Sequence, residues 1–342
     1  MFRSMENVYV IAEVSANHGQ NFQRAVAMIK KAQECGADAV KFQVYTPDTI
    51  TMNADNKYFR IKHPEWGGQT LYELYMKAYT PWKWFVKLKK VADDLGILFF
   101  ATAFDKTSVD FLEELNVPIH KISSFELVDL PLISYAAKTK KPLLLSTGMA
   151  DIDEIQEAVS TAKKAGAKET ILLKCVSSYP ARPEDMNLRT IPDMQKRFGC
   201  TVGLSDHSLG IGAAVCAVSL GARVVEKHFT LSRKLKTPDG FFSIEPLELK
   251  ALVENIRIAE KAAGEVHYGL TEKEKESRKY RRSLFVIKDI KAGEKFTEEN
   301  IQSIRPGNGL QPRYLEDVLG KAAKKKLLRG TPLKKEFISD LE

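Results

Sequence analysis

Short runs rich in β-branched residues alternate with stretches of helical period along roughly the first 265 residues, the pattern of repeated βα units around a parallel sheet. Strands are predicted over residues 8–14, 39–44, 98–102, 119–122, 142–146, 170–174, 201–204 and 223–227. Amphipathic helices are predicted over 22–34, 81–95, 152–165, 211–220 and 246–263. Eight such strands with their crossovers close into a (β/α)8 TIM-type barrel, whereas an open doubly wound sheet usually stops near about six. The connection from Tyr45 to Thr80 is too long for an ordinary βα loop, and a loop of that size beside a barrel is usually functional. Within it Leu71, Leu74 and Tyr75 recur at helical spacing and read either as a core stripe or, with Tyr72, Tyr79 and Trp82, as an apolar pocket wall; Tyr79 and Trp82 fall outside the stripe.

The expected division is a barrel over residues 1–264, a linker over 265–280 dense in Glu, Lys and Arg, and a small β-rich module over 281–342. In that module residues 283–287 read as a strand, 290–294 as a turn and 297–300 as the start of a one-turn helix.

The 342 residues are 44% hydrophobic and 28% charged, which excludes a disordered or collagenous chain, and no apolar run approaches the ~20 residues of a membrane span. Residues 1–6 show no apolar leader, so a cytoplasmic enzyme is expected. Cys35, Cys175, Cys200 and Cys216 form no closely spaced pair and read as buried free thiols. From Arg281 onward 14 Lys and Arg stand against 9 Asp and Glu, supplying most of the net charge of +8. No aromatic residues interleave with these cations as base stacking requires, so a solvated face is expected there and no nucleic-acid partner.

Active sites of these barrels lie at the C-terminal ends of the strands. Those ends carry Glu13 with Asn17 and His18, Lys41 with Gln43, Thr102, Lys121 with Ser123 and Ser124, Ser146, Ser177 with Tyr179, Ser205-Asp206-His207 and Glu226-Lys227-His228. Packing alone would place Val, Ile and Leu there. His207 and His228 end adjacent strands, about 4.8 Å apart, so one divalent cation could bridge both imidazoles and act as a Lewis acid. Lys41 and Lys121 face the mouth and either pair with Glu13 and Glu226, bind an anionic ligand with Ser124, Ser146 and Ser205, or form a Schiff base. Glu13 is the natural acid or base. In the small module Arg305-Pro306-Gly307-Asn308-Gly309 is either a surface turn or a turn whose arginine grips a substrate oxygen, in a mouth that could belong to a second subunit.

Together these residues resemble the sialic acid synthase family, bacterial enzymes that condense phosphoenolpyruvate with an amino sugar to make nine-carbon nonulosonic acids. The resemblance runs through Ile11-Ala12-Glu13-Val14-Ser15-Ala16-Asn17-His18, Val40-Lys41-Phe42-Gln43, Lys121-Ile122-Ser123-Ser124, Leu145-Ser146-Thr147-Gly148-Met149, Gly203-Leu204-Ser205-Asp206-His207, Glu226-Lys227-His228-Phe229-Thr230 and Pro238-Asp239. The small module resembles the family's antifreeze-like (SAF) domain at Arg305 to Gly309. The resemblance implies a divalent metal on His207 and His228, most readily Mn2+, with Mg2+ or Co2+ possible. It implies phosphoenolpyruvate on Lys41, Thr102, Lys121, Ser124, Ser146 and Ser205, proton transfer by Glu13, and sugar binding by Tyr179, Asp239 and Arg305. Ser177 stands where neuraminate-making members have Asn. Gly68 to Tyr75 and Ala78 to Trp82 look like the branch that makes pseudaminic acid from a 6-deoxy-2,4-diacetamido altrose, with N-acetylmannosamine or the manno isomer as the alternative sugar. A domain-swapped homodimer is expected, with the module of one chain over the barrel of the other. Two other classes remain: a class I aldolase using Lys41 or Lys121, and a carbohydrate-binding protein on a degenerate barrel.

Overall fold

In a computed structural model residues 7–340 are described; the leader reading rested on residues 1–6 and lies outside them. The chain divides into two compact units, Met1–Gly264 and Glu265–Glu342.

The first unit is a closed barrel of eight parallel strands in sequence order: β1 (Tyr9–Glu13), β2 (Ala39–Val44), β3 (Leu98–Ala103), β4 (His120–Ile122), β5 (Leu143–Ser146), β6 (Thr170–Cys175), β7 (Thr201–Asp206) and β8 (Val224–His228). All eight predicted strands form, several a residue or two from the expected bounds. Because side chains alternate, one set of positions packs on the helices while the other fills the interior. On β2 Phe42 points outward to Phe85 of the helix Phe85–Asp94, with ring centroids 6.2 Å apart, while Lys41 and Gln43 point in. The register aligns the polar ends: Glu13 lies beside Lys41 on one side and His228 on the other, and Ser205 beside Glu226.

Local signals set the helix boundaries. Phe22–Glu34 is capped by the Asn21 side chain, which accepts from the Arg24 N–H at 2.9 Å. Ile152–Ala165 starts at a capping box between Asp151 and Glu154 and ends at Gly166, whose φ of 102° only glycine adopts readily. The helix predicted over 81–95 is broken into a 3-10 turn, Trp82–Trp84, and Phe85–Asp94. No helix among the described residues is long and apolar enough to cross a membrane.

The second unit pairs β9 (Ser283–Val286) with β10 (Ile301–Ile304) antiparallel over its own core, which includes Leu284, Phe296, Ile301, Leu327 and Leu333. Residues 297–300 close a single turn, with the Ile301 N–H donating to the Thr297 carbonyl at 3.0 Å and the Asn300 side chain taking the Thr297 N–H at 2.8 Å, and β10 follows it directly. Within 265–280, read from sequence as a linker, the short helix Glu272–Ser277 forms on a Thr271–Glu274 capping box with no buried residue. Its stability is local, which is why no apolar period announces it.

Candidate active site

The barrel mouth opens into a cavity of about 400 Å³. Every expected site residue lines it except Ser177 and Arg305.

Its floor is a buried charge cluster. Lys41 Nζ lies 2.6 Å from Glu13 Oε2 and 3.7 Å from Glu226 Oε2, and donates to Thr102 Oγ1 at 2.8 Å. The second carboxylate is held by Ser205 Oγ, which donates to Glu226 Oε1 at 3.1 Å. Burial pushes the Glu13 carboxyl up to about 7, with Lys41 opposing and Glu226 adding to the rise. For Glu226 the burial is outweighed by Lys41, Lys121 and His207, which hold it below the usual carboxylate range. Burial likewise disfavours the charged form of Lys41, but Glu13 and Glu226 overcome it and keep the ammonium. Two neighbouring carboxyls with their pKa values pushed apart mark Glu13 as the one able to move a proton near neutrality.

Across the floor Lys121 Nζ donates to Ser146 Oγ at 2.7 Å and to the Ile122 carbonyl at 2.9 Å. Burial lowers its pKa. Ser124 Oγ accepts the Gly148 N–H at 3.0 Å, and a Cβ on Gly148 would collide with the hydroxyls of both Ser124 and Ser177. That glycine therefore lets three loops converge. Ser177 Oγ is buried beside Tyr179. Two ammonium groups and a cluster of hydroxyls form a receptor for a small polyanion.

The two imidazoles stand at the ends of β7 and β8, beside Glu13 and Glu226, with ring centroids 5.2 Å apart. His207 Nδ1 lies 2.9 Å from the Val176 carbonyl, which can only accept, so Nδ1 carries the proton and Nε2 keeps its lone pair. His228 Nδ1 is buried with no hydrogen-bond partner among the described residues, Asp239 Oδ2 standing 3.9 Å away, and its pKa is held well below the ordinary value by burial first, then by His207 and the lysines. His207 is shifted the other way: burial disfavours its charged form, but Cys175 and the Val176 carbonyl outweigh that and raise its pKa, so a cation there displaces a proton. Bonds of ~2.1 Å to one ion put two such rings about 5 Å apart. The pair fits an open divalent site. No group of three or more His, Cys, Asp or Glu among the described residues converges as a closed metal cage would.

Above the imidazoles Tyr179 packs on His207 at 4.4 Å between centroids and on Phe242 at 5.0 Å. Asp239 Oδ2 accepts from Ser15 Oγ at 2.5 Å and from the Ala16 N–H at 3.3 Å. Arg305 is exposed in the second unit, directly after β10, and the cavity lining, all from the barrel unit, includes no arginine.

The long second loop folds over the mouth, and here one expectation is corrected. Leu71, Leu74 and Tyr75, one face of the helix Leu71–Ala78, turn to the cavity; only Ala78 of that helix is buried, so the stripe is no core seam. Tyr72, Tyr79 and Trp82, expected in the same wall, are absent from the lining. Trp82 instead packs on Phe111 at 4.6 Å and donates to the Tyr45 carbonyl at 3.1 Å, closing the base of the loop.

Sequence reasoning gave several participants no role, although it met Gln43, Asp206 and Lys227 at the polar strand ends. Gln43 Nε2 bridges Glu13 Oε1 at 3.0 Å and Ser15 Oγ at 2.8 Å, and Gln43 and Ser15 each lie two positions from an expected site residue, the strand period that puts them on the same face. Trp66 donates to the Pro238 carbonyl at 2.7 Å and packs against Tyr179, a contact across the barrel that no local signal marks. Asp206 and Lys227, at the ends of β7 and β8, face outward as a buried ion pair at 2.7 Å.

Buried lysines paired with carboxyls on the floor, two imidazoles next to those carboxyls and an apolar wall above define a barrel enzyme built for an anionic substrate and a second, partly apolar one. Residues 28–268 match the NeuB family and residues 281–339 the SAF domain, and the chain belongs to that family. It is 43% identical over 333 residues to "Pseudaminic acid synthase" of Campylobacter jejuni, covering 97% of each chain. It is 42% identical to the protein of the same name from Helicobacter pylori, over 96% of this chain and 97% of that one. Among solved structures, the N-acetylneuraminic acid synthetase of Leptospira borgpetersenii superposes with a TM-score of 0.71 at 35% identity, over 79% of this chain and 90% of the other.

Proposed function

We propose that the protein condenses phosphoenolpyruvate with 2,4-diacetamido-2,4,6-trideoxy-altrose and water to give pseudaminic acid and phosphate. The observation that carries this reading is the two-sided cavity: a lysine and serine floor suited to phosphate and carboxylate, and an apolar wall of Leu71, Leu74 and Tyr75 suited to the methyl of a 6-deoxy sugar. The relatives at 42–43% identity support it.

In this mechanism Lys41, Lys121, Ser124, Ser146 and Ser205 hold phosphoenolpyruvate so that its carbon 3 faces the sugar aldehyde. The carbon 3 to aldehyde bond forms, water adds at carbon 2, and the tetrahedral intermediate loses phosphate by C–O cleavage. Glu13, poised near neutrality, passes a proton from the incoming water toward the aldehyde oxygen as it becomes a hydroxyl. Tyr179 and Asp239 face the sugar. A divalent cation on His207 and His228, Mn2+ by preference, would supply Lewis-acid polarisation of the aldehyde. The preset ammonium groups stabilise the phosphate charge without reorganising, which is where most of the rate comes from. The active unit we propose is a cytoplasmic homodimer in which Arg305 of one chain completes the sugar side of the other, the barrel's own lining having no arginine.

Phosphate release measured with phosphoenolpyruvate and a panel of amino sugars tests the reading. The altrose derivative should be preferred to N-acetylmannosamine; an apolar pocket rejects an added hydroxyl by about 100-fold. Equal or better efficiency with N-acetylmannosamine refutes the sugar assignment. Borohydride trapping of a pyruvate adduct without phosphate release would make the protein a Schiff-base aldolase instead.

A further inference from the structure

The wall that faces the sugar sits on the helix Leu71–Ala78, which has a single buried residue, Ala78. Core burial therefore cannot set its height above the cavity, and an element so poorly buried belongs to the low-stability end of a protein. The Leu71 N–H on the Phe59 carbonyl at 2.8 Å and the Tyr45–Tyr75 ring contact at 5.5 Å hold its start and middle, and polar anchors hold its C-terminal end. Gln20 Nε2 donates to the Met76 carbonyl at 2.8 Å and to the Tyr79 carbonyl at 3.3 Å. The buried anchor is His18: its Nε2 lies 2.9 Å from Thr80 Oγ1, and both residues are almost wholly inaccessible.

The tautomer follows from the other ring nitrogen. His18 Nδ1 accepts the Gln20 N–H at 3.0 Å, so Nε2 carries the hydrogen and donates it to Thr80. The ring is gripped between Trp84, edge-on at 5.8 Å, and Phe42, stacked at 6.5 Å, and cannot follow the loop if the loop shifts. His18 ends the 3-10 turn Ser15–His18, and Ser15 at the start of that turn, with φ of 45°, holds both Asp239 and Gln43. Between them Asn17 donates to the Phe229 carbonyl and to Ser243 Oγ, pinning the loop after β8. One rigid turn thus holds the sugar-facing acid at one end and the anchor of the apolar wall at the other.

We propose that His18 is a positioning residue for the sugar: its hydrogen bond to Thr80 docks the helix Leu71–Ala78 onto the barrel mouth and sets the distance between the Leu71, Leu74 and Tyr75 wall and Asp239. The role of the wall rests on the synthase reading above; the docking itself does not.

The test compares His18→Leu, which removes the donor, Thr80→Val, which removes the acceptor at nearly the same volume, and His18→Gln, whose amide can still donate. Hydrogen exchange of amides 72–79 reads the docking equilibrium without any substrate. A buried hydrogen bond of ordinary strength shifts it about tenfold, so His18→Leu and Thr80→Val should each speed exchange there by about that factor, and combining them should add little. His18→Gln should recover most of the protection. In turnover, KM for the diacetamido sugar should rise in the two disrupting variants while KM for phosphoenolpyruvate stays within about twofold. Unchanged exchange at 72–79 in Thr80→Val, or additive effects in the double variant, overturns the docking role. Faster exchange with KM rising equally for both substrates overturns the link to the sugar. If the panel sugars are not turned over at all while exchange responds as expected, the substrate assignment fails and the docking stands.

Discussion

Removing the Lys227 ammonium should destabilise the barrel without touching any group that meets substrate. Lys227 and Asp206 are 1% and 0% exposed at their side chains, and Lys227 Nζ donates to Asp206 Oδ2 at 2.7 Å and to the Ser208 carbonyl at 2.5 Å. They are register partners on β7 and β8, next to the inward-facing His207 and Glu226. In Lys227→Met the carboxylate keeps the Ser208 N–H at 2.8 Å and the Ser208 hydroxyl at 2.7 Å on Oδ1, but Oδ2 loses its partner. Breaking a buried pair by removing one partner costs about 3–5 kcal/mol, and the two surviving bonds place this variant at the low end, near ~3 kcal/mol. Asp206→Leu leaves a buried ammonium with one carbonyl, so it should lie nearer ~5 kcal/mol. At about 2–4 °C per kcal/mol for a domain near this size, Lys227→Met should lower Tm by roughly 6–12 °C in a thermal melt followed by circular dichroism. The double variant Asp206→Leu, Lys227→Met leaves no uncompensated charge and should be more stable than Asp206→Leu alone. A Tm loss below about 2 °C for Lys227→Met, or a double variant no better than Asp206→Leu, would refute the assignment of this pair as a charge held by its partner.

Three further outcomes are expected. Burial holds the His18 imidazole down at about 4, so the folded protein binds fewer protons there than the unfolded chain between pH 4 and 6.5; its contribution is present above about 6.5 and is lost as pH falls toward 4. His18→Gln should flatten the acid side of a denaturant-midpoint profile over that window by up to about 3 kcal/mol, and an unchanged profile would contradict it. Chelation should abolish phosphate release and Mn2+ should restore it, while a demetallated His207→Ala, His228→Ala protein with full activity would rule out the cation site. Mixing Arg305→Ala chains with His207→Ala chains under conditions of subunit exchange should recover part of the turnover, since one hybrid site is intact; no recovery from any exchanged mixture would place Arg305 outside its partner's site.

The barrel was legible because its evidence is local. Period-two runs and capping residues such as Asn21 and Asp151 mark strands and helix starts within a few residues of chain, so the helices over 22–34, 152–165 and 246–263 form at the predicted bounds. The polar strand ends were equally legible, since a polar residue where packing wants Val or Leu is visible one strand at a time. The family, too, could be read from motifs in order along the chain. Pairings across the barrel could not. That Lys41 reaches Glu13 and Glu226 together, and that burial lifts Glu13 while its neighbours hold Glu226 down, depends on register and closure between β1, β2 and β8. The stripe of Leu71, Leu74 and Tyr75 shows the limit most clearly: helical period says that three side chains share a face, but only the tertiary structure decides that the face meets a cavity and not a core. His18 and Asp206 were polar letters in a motif until Thr80 and Lys227 arrived from distant chain to give each its partner, because a buried polar group takes its meaning from what satisfies it.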